Sequence, residues 1–171
     1  MSYFNNFPTL MYDPIGDGAA KLVTNIMKRV RMRANMKKEV VMLDQYDVKE
    51  NETPEIVSDK HHGSPYYHWV VMMLNDISDV NHDWVKSTRQ LQKYLLSKYT
   101  ETELTETHHY EISQTSGDTT IKIEVENTTY PSATIVTNYE YEVALNESKR
   151  KIDLLRNDYL GFFTEEFASL I

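Results

Sequence analysis

Residues 51–69 read NETPEIVSDKHHGSPYYHW and contain the signals for two helices that meet at a sharp corner. Thr53 suits the N-cap of a helix, and Pro54 suits its first position, where a missing backbone N–H costs nothing. Gly63 can adopt the left-handed conformation that ends such a helix. A Ser-Pro pair directly after this glycine repeats the cap-and-proline signal. The stretch therefore predicts a helix, a glycine corner and a second helix.

The residues on either side of this corner extend the unit. The second helix carries an apolar stripe at helical spacing, formed by Tyr66, Trp69, Val70, Met73 and Leu74. Residues 39–48, EVVMLDQYDV, are apolar and β-branched enough to form a strand ahead of the first helix. We therefore expect a β-α-α unit over 39–83. The residues expected to hold its corner are Thr53, Pro54, Gly63 and Trp69.

The N-terminal part, 1–38, is predicted to be an aromatic arm followed by a basic helix. The arm contains Phe4 and Phe7 among further aromatic residues and two prolines, which suit neither helix nor strand. The spacing of apolar residues from Ala19 to Val30 predicts one helix. The net charge is −8, yet residues 21–38 contain 7 of the 18 basic residues and no acid. In an acidic chain this segment favours acidic protein surfaces over nucleic acid or a membrane.

The remaining residues complete an α+β chain of several segments. A helix and linker are expected over 84–107, and a β-hairpin followed by a loop over 108–138, where HYEIS and TIKIEVE alternate around a turn containing Gly117. Helical spacing predicts C-terminal helices over 139–171. The hairpin before them is short and polar, so the sequence offers little to cover their apolar face.

This uncovered face predicts an interface with a partner protein. The residues expected at this interface are Phe4 and Phe7 of the arm, and Leu145, Ile152, Leu155, Phe162, Phe163 and Phe167 of the C-terminal helices.

Motifs for catalysis or cofactor binding are not recognisable. No two histidines have the i, i+4 spacing of a helical metal site, and DVNHD at 79–83 lacks the later glycine and glutamate of a calcium loop. There is no GxSxG, Walker or GxGxxG motif. Cysteine is absent, and the sequence predicts neither a membrane span nor a Sec signal. We expect no catalytic, metal or cofactor residues.

Two resemblances refine this interpretation. The strand, the ETPE helix, the HGSP corner and the YYHWVVMMLND helix together resemble a LysM-like β-α-α unit. A second resemblance extends over nearly the whole chain and rests on the order of five stretches: YFNNFP, YDVKENETPE, HHGSPYYHWVVMMLND, DWVKSTRQLQKYLLSKY and VTNYEYEVALNESKRKIDLLR. In this order the chain resembles the baseplate wedge proteins of contractile-tailed phages of the T-even type, the gene-fifty-three family, which carry an embedded LysM-like domain.

The second resemblance implies a structural role without catalysis. A member of the family would be made in the host cytoplasm, enter the tail baseplate in six copies and clamp adjacent wedges. Its expected partners are the wedge core bundle and the sheath-initiating wedge protein. The alternative is a LysM-type module that binds peptidoglycan or chitin. Two departures argue against glycan binding. His61 and His62 stand where the family favours tyrosine, and no clear closing strand follows Asn75, so that the second strand of a LysM unit is either Ile77 to Val80 or absent.

Overall fold

The computed structural model describes residues 3–28 and 40–171 and confirms the α+β class. The chain forms two compact units. The first unit combines Met1–Trp84 with Lys151–Ile171, and the second, Val85–Arg150, is inserted into it. The first unit is therefore discontinuous in sequence.

The helices and strands follow one another along both units. Those that precede the second unit are a 3-10 helix at Tyr3–Asn6, β1 (Thr9–Tyr12), β2 (Lys21–Thr24), a 3-10 helix at Val40–Met42, β3 (Leu43–Asp47), α1 (Pro54–His62), a 3-10 helix at Pro65–Tyr67, α2 (His68–Leu74) and α3 (Val80–Asp83). Those that follow are α4 (Thr88–Lys98), α5 (Glu101–Leu104), β4 (Thr107–Ser113), β5 (Lys122–Val125), β6 (Thr134–Thr137), α6 (Asn138–Ser148), β7 (Lys151–Leu155) and α7 (Asn157–Leu170).

The corner has the capping geometry that its sequence predicts. The Thr53 hydroxyl oxygen accepts a hydrogen bond from the Ile56 N–H at 3.5 Å, and Pro54 occupies the first turn of α1. Gly63 ends α1 with φ +69°, and its N–H donates to the Asp59 carbonyl at 2.9 Å. Local sequence therefore defines both ends of α1.

The strand β7 corrects the prediction of helix across its residues. It pairs antiparallel with β3, from Leu43 opposite Leu155 to Asp47 opposite Lys151. Ile152 and Leu155 have helical spacing, but both are buried as residues of this strand. The pairing brings together segments more than 100 residues apart in sequence. The β-α-α unit therefore has a second strand, β7, which comes from the C-terminal part of the chain. The residues directly after Asn75 do not form a strand.

The helix predicted from Ala19 to Val30 is also wrong where it can be compared. Residues 21–24 form β2, which pairs antiparallel with β1 from Thr9 opposite Thr24 to Tyr12 opposite Lys21. Residues 29 and 30, and the basic residues up to Lys38, lie outside the described residues. The apolar spacing suited a helix, but a turn rich in glycine directs the chain back along β1 instead.

Aromatic side chains dominate the core of the first unit. Trp69 on α2 lies 4.5 Å from Phe167 and 5.9 Å from Phe163, both on α7, measured between ring centroids. Phe7 from the N-terminal segment packs 6.3 Å from Phe167. Leu155 of β7 belongs to the same buried cluster. The N-terminal segment and the C-terminal helix are thus parts of one core.

The second unit contains a three-stranded antiparallel sheet with β4 between β5 and β6. The predicted hairpin is confirmed: Ile112 lies opposite Ile123, and Gly117 at φ +75° belongs to the turn. The third strand, β6, falls in the region predicted as a loop. Thr137 at its end caps α6 through a capping box with Glu140. The helix predicted from residue 84 is present as α4.

Candidate interaction surfaces

The predicted interface residues divide into an exposed group and a buried group. Phe4, Leu145 and Phe162 are exposed, with 73% of Phe162 accessible. The other five are buried within this chain: Phe7, Ile152, Leu155, Phe163 and Phe167. The chain itself covers one face of α7, using Trp69 and the N-terminal aromatic residues. Partner contacts are therefore not needed to explain the apolar character of the buried five.

An N-terminal hairpin, residues 9–27, was missed by sequence reasoning. Its turn is organised by Asp13, whose carboxylate accepts hydrogen bonds from the N–H groups of Gly16 at 2.7 Å, Gly18 at 2.8 Å and Ile15 at 3.1 Å. The bonds from Gly18 and Gly16 lower the pKa of Asp13. Both glycines have φ near +80°. The signal was present as DPIGDG between the apolar runs TLMY and KLVT.

The N-terminal hairpin exposes apolar side chains on both faces. Met11 lies directly opposite Leu22, and both are about two-thirds accessible. Ile15 at the turn and Met27 after β2 are each more than four-fifths accessible. An isolated two-stranded hairpin is marginally stable in water, and a cluster of exposed apolar side chains commonly marks a protein interface. This hairpin is the strongest candidate surface for a partner.

The sheet of the second unit provides another candidate surface. Cross-strand register aligns apolar residues on one face, and the set is Tyr110, Ile112, Ile123, Val125 and Ile135. Ile123 and Ile135 are both about half accessible. The opposite face carries Glu111, Lys122 and Glu124 at neighbouring positions. One face of the sheet is therefore apolar and partly open.

Buried Glu52 organises the loop between β3 and α1. Its carboxylate accepts hydrogen bonds from Lys60 Nζ at 2.5 Å, the Lys49 N–H at 2.8 Å and the Tyr46 hydroxyl at 2.9 Å. Its carbonyl accepts the indole N–H of Trp84 at 2.8 Å. Burial alone would raise the pKa of Glu52, but these bonds hold it below its ordinary value. Burial and the contact with Glu52 raise the pKa of Tyr46 to about 12.

Glu142 on α6 is the buried glutamate of the second unit. It is 3% accessible and accepts hydrogen bonds from Lys98 Nζ at 2.5 Å and the Tyr99 hydroxyl at 3.1 Å. The bond with Glu142 raises the pKa of Lys98. Both buried carboxylates thus have an ammonium and a phenol as partners. This arrangement stabilises a charged group in the interior and suits a structural role.

The two histidines of the corner connect α1 to the junction between β7 and α7. The Nε2–H of His61 donates to the Leu155 carbonyl at 3.1 Å, and His62 Nδ1 lies 2.9 Å from Asn157 Oδ1. Burial lowers the pKa of His62. Nearby, Tyr66 is exposed, whereas Tyr67 packs against the core. None of these contacts favours the alternative function, glycan binding by a LysM-like unit.

Two features are not found in the described parts of the chain: a cluster of three metal ligands and a membrane-spanning helix. Across residues 3–28 and 40–171, no three His, Asp or Glu side chains lie close enough together to hold a metal ion. Within the same ranges, no helix combines the length and apolarity needed to cross a bilayer.

A protein-family model matches most of the chain. Residues 12–129 match the family model for the phage base plate wedge protein 53. No curated protein matches the chain. The matched region contains most of the N-terminal hairpin, the corner and the hairpin of the second unit. Because it covers more than half of the 171 residues, the chain belongs to the base plate wedge protein 53 family.

Proposed function

We propose that this protein clamps adjacent wedges of a phage tail baseplate by binding neighbouring wedge proteins through the N-terminal hairpin. Membership of the wedge family gives the structural role and the location in the tail. The proposed partners are the wedge core bundle and the sheath-initiating wedge protein. One copy in each wedge gives six copies per baseplate.

The exposure of the N-terminal hairpin is the observation that carries this proposal. Met11 and Leu22 form an apolar pair on one face of a two-stranded sheet that has no third strand among the described residues. A partner can cover such a face or add a strand to its edge, and either contact would remove apolar surface from water. The apolar sheet face of the second unit offers a separate contact area. Two surfaces allow one chain to hold two neighbours.

Catalysis has no part in this proposal. The buried carboxylates Glu52 and Glu142 are held by lysine and tyrosine partners rather than directed toward an open cleft. Their arrangement supports the rigid scaffold expected of an assembly component.

The proposal is tested by co-expressing the chain with the other tail genes of its source genome and measuring complexes by size-exclusion chromatography with light scattering. The wild-type chain is expected to elute in a wedge-sized complex. The double variant Met11→Asp, Leu22→Asp should remain free, since two charges would have to be buried at the contact. Leu96→Asp is the matched control, because Leu96 is similarly exposed on α4.

Two results would oppose the proposal. Assembly of the hairpin double variant at wild-type yield would remove the N-terminal hairpin from the interface. A wild-type chain that stays monomeric with all tail proteins present would remove the clamping role. Circular dichroism of each purified variant separates loss of binding from loss of fold.

A further inference from the structure

The histidines of β4 form a pair that the assembly role does not use. Adjacent residues of a regular strand point to opposite faces of a sheet. Here the register shifts: Thr107 lies opposite Thr137, and His109 lies opposite Val136, so His108 is an extra residue in a β-bulge. The bulge brings the two imidazoles together. Their Nδ1 atoms lie 2.8 Å apart.

Tyr141 on α6 holds this pair in place. Its ring stacks on His108 with centroids 3.9 Å apart and an interplanar angle of 9°. The same ring meets His109 edge-on at 6.0 Å and 87°. His108 is exposed and His109 is half-buried, so the pair is accessible from solvent while one ring is fixed by stacking. A fixed pair loses less conformational freedom when it binds a ligand.

We propose that His108 and His109 chelate a divalent transition-metal ion through their two Nδ1 atoms, with Cu²⁺ bound most tightly. The separation of 2.8 Å, with metal–nitrogen bonds of about 2.0 Å, gives an angle at the metal of about 90°. That angle belongs to neighbouring ligands of a square-planar or octahedral ion, and a tetrahedral Zn²⁺ site would need a wider one. Copper also heads the affinity series for nitrogen ligands.

Binding must compete with the contact that the two rings make without metal. A hydrogen bond between two Nδ1 atoms requires one of them to carry a proton. A metal ion needs the lone pair of both nitrogens, so chelation releases this proton. For chelation, the rings have to rotate out of this contact until both lone pairs point at one ion rather than along the line between the two nitrogens. Water completes the coordination, because two histidines fill only two positions.

In the other adjacent pair, His61 and His62 at the corner of the first unit, a ring nitrogen of each histidine already contacts another part of the chain. His61 Nε2 is committed to the Leu155 carbonyl, and His62 Nδ1 contacts the Asn157 amide oxygen. Those contacts join α1 to the junction between β7 and α7 and would break on metal binding. Of the two adjacent histidine pairs in the described residues, the bulge pair is the one whose facing nitrogens contact each other.

The test uses the untagged full chain, titrated with Cu²⁺ at pH 7.5 by isothermal calorimetry and followed by electron paramagnetic resonance. One equivalent should bind with micromolar affinity and show hyperfine coupling to two nitrogens. His108→Gln and His109→Gln should each raise Kd at least tenfold and leave one coupled nitrogen. His82→Gln, on the exposed helix α3, is the control and should match the wild type.

Three outcomes would overturn the assignment: no binding by the wild type, coupling to a single nitrogen, or unchanged affinity in His108→Gln. Circular dichroism confirms that each variant is folded. The measurement uses the isolated chain, so it is independent of the proposed wedge contacts. A failure of either proposal therefore leaves the other standing.

Discussion

The side chain of Asn75 satisfies both backbone groups of Asp153. Its Nδ2 donates to the Asp153 carbonyl at 2.8 Å, and its Oδ1 accepts from the Asp153 N–H at 2.9 Å. The side-chain amide thus makes the two hydrogen bonds to Asp153 that the backbone of a further strand beside β7 would otherwise make. Asn146 does the same for Lys86 in the second unit, at 2.8 and 3.0 Å. Each compact unit thus contains an asparagine whose side chain bonds to both backbone groups of one residue that is distant in sequence.

Replacing Asn75 with Ala should destabilise the first unit strongly. Two backbone groups of Asp153 lose their partners, and we expect the free energy of unfolding to fall by about 2–4 kcal/mol. Urea unfolding followed by tryptophan fluorescence measures this, because Trp69 and Trp84 both lie in the first unit. Asn5→Ala, at an exposed position, is the control. Equal midpoints for the two variants would contradict the role of Asn75.

Acid should weaken the first unit through Glu52. Its pKa is lowered in the folded state, so its stabilising effect is complete above the unfolded-state pKa of about 4.3 and is lost as the pH falls through the folded value. We expect Glu52→Gln to cost about 1–3 kcal/mol at pH 7 and progressively less toward pH 3. Urea midpoints across this range measure the difference. Glu165→Gln, on the exposed side of α7, should follow the wild type; a constant gap for Glu52→Gln would oppose this account.

Glycine is expected to be favoured at position 63 for conformational reasons alone. A Cβ at Gly63 would meet no atom within 4 Å, yet its φ of +69° is unfavourable for any other residue. Gly63→Ala should therefore lower stability by about 1 kcal/mol. Gly161→Ala in α7 adds the same methyl group to helical backbone, where the space is also open. Thermal unfolding should show that change to be neutral or stabilising, and a matching loss in both variants would reject the conformational explanation.

The adjacent Phe162 and Phe163 should respond in opposite ways to truncation. Phe163 is 8% accessible and stacks near Trp69, so Phe163→Ala should cost about 3–5 kcal/mol. Phe162 is exposed, and Phe162→Ala should change stability by no more than about 0.5 kcal/mol. Chemical denaturation of the free chain distinguishes the two. A folded and equally stable Phe163→Ala variant would mean that this ring is not part of the core.

Sequence reasoning succeeded where structure depends on nearby residues. Thr53, Pro54 and Gly63 define α1 through contacts within a few positions, and the hairpin of β4 and β5 depends on alternation around a short turn. These features need no knowledge of the rest of the chain.

Sequence reasoning failed where the structure of a segment depends on pairing with residues far away in the sequence. The segment KIDLL has helical spacing, and only its pairing with residues 43–47 makes it a strand. The same holds for Leu22 and Val23, which face β1 across the N-terminal hairpin. Among the predicted interface residues, spacing identified apolar positions but could not distinguish a core side chain such as Phe167 from an exposed one such as Phe162. That difference depends on which segments meet in three dimensions.

The pairing of β3 with β7 also sets the order of events during protein synthesis. More than 100 residues separate the two strands, and at about 5–20 residues per second the ribosome needs about 5–20 s to add them. During that interval β3 has no strand partner, whereas the inserted unit already has all of its sequence before β7 is made. The inserted unit is therefore able to fold first, and the nascent chain presents an open strand edge until Leu155 emerges.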